Sequence, residues 1–174
     1  MKKLLFFLLA TTLLCSCGPK RYYEEILSVD KDGWHQDSLL TFSIDITDST
    51  QYYDMYLFVR NTTDYAMQNF YVFFTTEFPN GVSSQDTLGF VLCDKYGRWT
   101  GKGHGYMKEN QFLFRPYIRF ARRGTYTFKV QQAMREEKLE GISDFGIALY
   151  LHKIKKVNQA ELQSIAETHS NVSP

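Results

Sequence analysis

The chain predicts an all-β fold, a single antiparallel β-sandwich of the jelly-roll or immunoglobulin-like kind, and three observations carry that reading. Apolar residues recur with period two through most of the sequence, turn-forming clusters punctuate the runs at short intervals, and no long stretch of helical spacing separates them. Aromatic content agrees, since 14 Phe and 12 Tyr suit pleated packing surfaces.

Before the sandwich comes a leader. Met1-Lys2-Lys3 precedes the apolar run Leu4 to Ala10, the layout of a secretory signal. The run breaks at Cys15-Ser16-Cys17-Gly18-Pro19, short of the roughly 20 residues that a spanning helix needs. Residues 1–16 therefore read as a lipoprotein signal peptide that is cut away. Leu14-Cys15-Ser16-Cys17 has a branched apolar residue three before the cysteine and a small residue directly before it, whereas Thr12-Leu13-Leu14-Cys15 lacks that pattern. Cys17 is thus the expected lipidation site, with diacylglycerol on its thiol and an acyl group such as palmitate on its amine. Several chains, each contributing about 0.8 kcal/mol per buried CH₂, hold such a protein firmly to a bilayer.

Cleavage removes Lys2 and Lys3 from 20 basic residues and leaves 18 against 19 acidic ones, so no nucleic-acid partner is expected. Cys93 is then the only cysteine besides Cys17. No internal disulfide is expected, and Cys93 reads as a small buried hydrophobe on a strand.

Residues 17–33 read as a lipidated tether, because Gly18 to Glu25 shows no apolar periodicity. The sandwich is expected over 34–154. Its clearest strand is Leu40 to Ile46, with Leu40, Phe42, Ile44 and Ile46 on one face and Thr41, Ser43 and Asp45 on the other. Further β-rich runs are Tyr53 to Arg60, Asn69 to Phe78, Thr87 to Cys93, Gln111 to Phe120, Thr125 to Gln132 and Phe145 to Leu151. Turns fall between them at Asn61-Thr62-Thr63-Asp64, Pro79-Asn80-Gly81, Asp94 to Gly97, Arg122-Arg123-Gly124 and Glu140-Gly141. Met134 to Leu139 fits one helical turn or a loop. Residues 155–174 form a C-terminal tail in which Leu162, Ile165 and Ala166 fall at the spacing of a short helix.

Little in the sequence points to catalysis or to a bound metal. His35, His104, His152 and His169 show no metal-ligand spacing, so no metal or other cofactor is expected. Asp30-Lys31-Asp32-Gly33 has its glycine at the wrong offset for a calcium loop and reads as a plain turn. Asp45, Asp54, Asp86, Asp94 and Asp144 are expected to cap turns or face water, not to pair for sugar hydrolysis. Arg115, Arg119, Arg122 and Arg123, interleaved with Phe114, Tyr117 and Phe120, read as a solvated strand face more than as a site for nucleic acid or lipid headgroups. The glycine-rich stretch Asp94 to Tyr106 stands out. Trp99, Tyr96 and Tyr106 there are candidate contacts for a partner protein or a glycan, against the plainer reading of a bulged hairpin whose Trp99 closes one end of the sandwich.

A series of short matches runs in order through nearly the whole chain after the leader. They are Gly33-Trp34, Tyr53 to Asn61, Tyr65 with Asn69-Phe70-Tyr71-Val72, Asn80-Gly81, Asp86-Thr87-Leu88, Asp94 to Gly97 with Trp99 and Gly101-Lys102-Gly103, Gln131 to Arg135, and Leu139 to Gly146. Together they resemble the GldH gliding-motility lipoproteins of Bacteroidetes. That resemblance implies an envelope lipoprotein without enzymatic activity, required for the gliding apparatus and linked to the type IX secretion route. It implies as partners a membrane, through the lipid anchor, and the envelope proteins of a gliding or secretion complex. Gly18 gives no inner-membrane retention aspartate, and Lys20-Arg21 precede Glu24-Glu25, so the expected place is the periplasmic face of the outer membrane. The leading expectation is a noncatalytic assembly or stabilising component; the alternative is a glycan-binding accessory lipoprotein of a polysaccharide-uptake system.

Overall fold

The structure, a computed structural model, describes residues 20–152. The leader, Cys17 and the tail from 155 onward, with its expected short helix, lie outside the described residues.

The chain folds as one long hairpin bent over on itself. β1 (Arg21–Ser28) pairs with β10 (Ile142–Leu151), β3 (Leu40–Ile46) with β8 (Gly124–Gln132), β4 (Tyr53–Thr62) with β7 (Met107–Ile118), and β5 (Asn69–Glu77) with β6 (Ser83–Val91), all antiparallel. Two further ladders, β10 to β4 and β5 to β8, join these four pairs into sheets of order β1-β10-β4-β7 and β3-β8-β5-β6. Nested pairs rolled into two four-stranded sheets are the jelly-roll topology, which decides between the two sandwich types the sequence left open. A two-residue ladder between β2 (Trp34–His35) and β9 (Lys138–Leu139) closes one end.

Alternation sets the core. The burial of β3 alternates as the sequence demands, with Phe42, Ile44 and Ile46 buried and Thr41, Ser43 and Asp45 exposed. Tyr53, Met55, Leu57 and Val59 from β4 meet Phe70, Val72 and Phe74 from β5 between the layers, and Phe145 touches Trp34, Phe42 and Phe90. Each such side chain contributes about 1.5–3 kcal/mol by leaving water. β4 and β10 read as nearly continuous apolar runs because they are the central strands of their sheet.

Two sequence expectations need correction. Residues 17–33 are not all tether: Arg21–Ser28 is an edge strand paired to β10, so the folded domain begins about a dozen residues before 34. Its alternation is blurred because an edge strand is half exposed on both faces, with Tyr23, Glu25 and Leu27 turned inward and Ile26 packed outside over Gly146. Of the two readings of Met134 to Leu139 the loop holds for its first part, and the segment then ends in β9 instead of running as loop to Gly141.

Candidate contact surface

The Asp94–Tyr106 loop sits at the end of the sandwich that also carries β2 and β9. Its first turn is built by Asp94, whose carboxylate accepts from the backbone N–H of Tyr96 (2.8 Å) and of Arg98 (3.0 Å) and from the Arg98 guanidinium (2.8 Å). Those donors hold the Asp94 carboxyl below the usual carboxylate range, the Arg98 N–H being the largest influence. Gly97 completes the turn at φ 78°, where a side chain would be strained. Trp99 then bridges back to Cys93 and packs, half-buried, against the core. Beyond it, Thr100 and Asn110 lock the loop to the sheet. The Thr100 hydroxyl lies 2.9 Å from Asn110 Oδ1, and Asn110 Nδ2 donates to Asn61 Oδ1 (3.2 Å), both amides being buried.

The three candidate rings therefore differ. Trp99 closes the sandwich end, while Tyr96 (71 % exposed) and Tyr106 (64 % exposed) face water. No two of the three stack on each other, and the Tyr96 ring has Lys95 Nζ at 5.0 Å and Arg98 Cζ at 5.3 Å from its centroid. The rings do not form the shared flat platform that stacking on a sugar would use.

The candidate carboxylates are engaged separately. Asp54 lies 2.8 Å from His152 Nδ1 and accepts from the Tyr117 backbone N–H (2.9 Å), Asp86 pairs with Arg115 (2.8 Å), and Asp144 accepts from Ser28 (2.6 Å) and Ser143 (2.8 Å). Among the described residues no group of His, Cys, Asp and Glu has the arrangement of a metal site. Cys93 is buried and unpaired by any disulfide, as a small core residue.

One feature escaped sequence reading and another was seen only as composition. Tyr71 (41 % exposed), Phe73 (38 %) and Val91 (56 %) share the outer face of the β3-β8-β5-β6 sheet, with the Tyr71 ring laid over Gly89, where a Cβ would come within 2.6 Å of it. Alternation along β5 was the available signal, but it shows two apolar faces and does not say which is wet. The second is the arginine cluster, expected as a solvated strand face. Arg119 and Arg122 are exposed, as that reading has it, and with Arg115 they line one cavity of about 490 Å³ beside Phe78, Phe120 and Phe128. Between Arg115 and Arg119 the strand carries a register irregularity at Pro116 and the left-handed Tyr117 (φ 53°).

Comparison with known proteins fits this picture. The family model described as GldH lipoprotein matches residues 21–149, which begins at the first residue of β1. The chain is 35 % identical over 150 residues to the gliding motility lipoprotein GldH homolog of Christiangramia forsetii, covering 82 % of this chain and 91 % of that one. It is 34 % identical over 149 residues to the gliding motility lipoprotein GldH of Flavobacterium johnsoniae, covering 82 % and 92 %. Solved structures resemble it only distantly. Dimeric latent PorU of Porphyromonas gingivalis gives a TM-score of 0.32 at 7 % identity, covering 79 % of this chain and 14 % of PorU. The tobacco streak virus coat protein gives 0.24 at 10 % identity, covering 79 % and 96 %. The jelly-roll assignment accordingly rests on strand order, and the sequence matches, which span nearly the whole folded region, show that this chain belongs to the GldH lipoprotein family.

Proposed function

We propose that the protein works without catalysis as an assembly or stabilising component of the gliding and type IX secretion machinery, held by acyl chains on Cys17 at the periplasmic face of the outer membrane. The observation that carries this reading is the exposure of Tyr71, Phe73 and Val91 on one sheet face. Large apolar side chains left on a sheet face, beside the unpaired edge of β6, mark a surface that another protein covers. Rigid aromatic rings suit such a role, since they supply contact area at small entropic cost. The exposed Tyr96 and Tyr106 extend the contact surface at the end where β2 and β9 lie.

The test is a crosslinking pull-down of the tagged lipoprotein from its own membranes, read by mass spectrometry beside a Cys17→Ala control. Enrichment of gliding or secretion-route envelope proteins, lost with the lipid, is the expected result. Enrichment of polysaccharide-uptake proteins in their place would overturn it.

A further inference from the structure

The described chain enters the sandwich at the end that carries the arginine-lined cavity. β1 begins there at Arg21, with Lys20 held by a hydrogen bond from the Leu151 backbone N–H to its carbonyl (2.8 Å). β10 and β7 end there, at Leu151 and Ile118, and β4 begins there at Tyr53. The second sheet contributes the Ile46–Gly124 pair and the Glu77–Ser83 pair to the same end. Three loops close it, at 47–52, 78–82 and 119–123, and Phe120 plugs it against Tyr53 (5.6 Å) and Tyr126 (4.7 Å).

With lipid on Cys17, chain length would hold this end near the membrane. Three peptide units separate Cys17 from Lys20, a reach of at most about 11 Å when fully extended. The headgroup layer on each side of a bilayer is itself about 5–7 Å thick. β7, which borders the cavity, is three strand spacings from β1 in its sheet, roughly 14 Å. A lipidated Cys17 would therefore keep the cavity mouth within reach of the bilayer surface, with its own acyl chains entering the bilayer some way to the side.

The chemistry of the end matches that surface. Its three loops carry Arg119, Arg122 and Arg123 against a single acid, Asp48. Among the described residues those arginines and Lys20 meet no carboxylate at ion-pair distance, whereas Arg115 is held by Asp86 (2.8 Å) and Arg21 by Glu24 (2.6 Å). Phe78 (37 % exposed) and Val82 (56 %) stand at the lip of the cavity, whose inner wall is Phe120 and Phe128. Beside it the Tyr52 and Tyr117 rings stack 4.3 Å apart with Arg119 over Tyr52 at 5.9 Å, and Tyr117 is 50 % exposed. Tyrosines, arginines and exposed apolar tips gathered on one end are the composition of a membrane–water interface. At about 490 Å³ the cavity falls within the usual size of small-molecule sites.

We infer that this end rests on the anionic surface of the anchoring membrane, with the phosphate of one anionic phospholipid between Arg119 and Arg122 and the start of its acyl chain in the cavity lined by Phe78 and Phe120. The inference rests on lipidation at Cys17. It orients the sandwich with the Tyr96 loop away from the bilayer, about 33 Å off for strands of ten residues.

The test uses the full lipidated chain, purified from membranes and reconstituted in phosphatidylcholine vesicles with or without phosphatidylglycerol. Nitroxide labels on V82C and, separately, on Y96C report depth through their relative accessibility to oxygen and to an aqueous nickel chelate; the buried Cys93 makes the unsubstituted chain the labelling control. The V82C label is expected to be several-fold more oxygen-accessible in phosphatidylglycerol vesicles, with the Y96C label in water throughout. Each cation near an anionic surface contributes about a five-fold factor, so R119Q with R122Q lowers the docking equilibrium roughly 30-fold and returns the V82C label to water while the chain still floats with the vesicles. A floating chain whose V82C label stays aqueous on phosphatidylglycerol overturns the docking alone. A chain whose intact mass lacks acyl groups and which fails to float overturns the anchor at Cys17, and the docking with it.

Discussion

Asn110→Ala tests what holds the Trp99 loop in place. Asn110 is buried on β7; its amide donates to Asn61 Oδ1, and its carbonyl oxygen meets the Thr100 hydroxyl, which also bonds the Leu92 carbonyl at 3.0 Å. Removing the amide strands the fully buried Asn61 oxygen, which costs about 1–3 kcal/mol, and leaves a small void worth about 1 kcal/mol more. The sum is about 3 kcal/mol. For a domain of this size each kcal/mol lowers Tm by about 3–5 °C, so a fall of about 10 °C is expected by differential scanning calorimetry. Backbone amides from Trp99 to Lys102 should lose hydrogen-exchange protection ahead of the core strands. Thr100→Val should cost less in the Asn110→Ala background than alone, because the two residues share a bond. A fall under about 3 °C with additive double-mutant energies would show that the loop is held by Trp99 packing and not by this network.

Three other outcomes follow from burial and backbone geometry. Burial raises the Tyr53 phenol to about 12 and pushes the Tyr65 phenol up also. Their folded pKa values lie above the unfolded value of about 10, so their contribution is complete below pH 10 and falls between pH 10 and 12 by about 1.4 kcal/mol per unit for each phenol. Urea midpoints across that window should drop, and Tyr53→Phe should flatten the drop. Gly141→Ala should cost at least 2 kcal/mol, as an order of magnitude, because its Cβ would sit 2.6 Å from Tyr65 Cα at φ 83°. Gly81→Ala, equally left-handed but with open space around it, should cost only about 1–2 kcal/mol by chemical denaturation. Cys93 should resist iodoacetamide in the native protein and react fully once the chain is unfolded in urea.

Strands with one wet face were legible because burial imposes period two directly. β3 shows this most cleanly, and β8 repeats it with Tyr126, Phe128 and Val130 buried between partly exposed neighbours. β1 was not legible, since Tyr22-Tyr23-Glu24-Glu25 carries two rings and two acids in a row and gains its order from the β10 backbone. β2 and β9, two residues each, are too short to hold any periodicity. Glycine spacing drew attention to the Asp94–Tyr106 loop, and Trp99 closes the sandwich end as the bulged-hairpin reading has it; spacing alone did not separate it from Tyr96 and Tyr106, which stay outside. The arginine cluster was visible as composition. Its place beside one cavity follows an irregular register at Pro116 and Tyr117, where Asp54 accepts the Tyr117 N–H from another strand, and linear spacing cannot show a bulge fixed from across the sheet.

The proposed role has another envelope protein held on the Tyr71 and Phe73 face of the sandwich. The most direct measurement repeats the membrane crosslinking pull-down with Tyr71→Ser and Phe73→Ser combined, both residues being partly exposed on the outer sheet face so that the sandwich stays folded. Recovery of gliding or secretion-route envelope proteins is expected to fall about 30-fold, the loss of two aromatic anchors of about 1 kcal/mol each, while the variant still fractionates with the membrane. Undiminished recovery of the same proteins from that variant would contradict it.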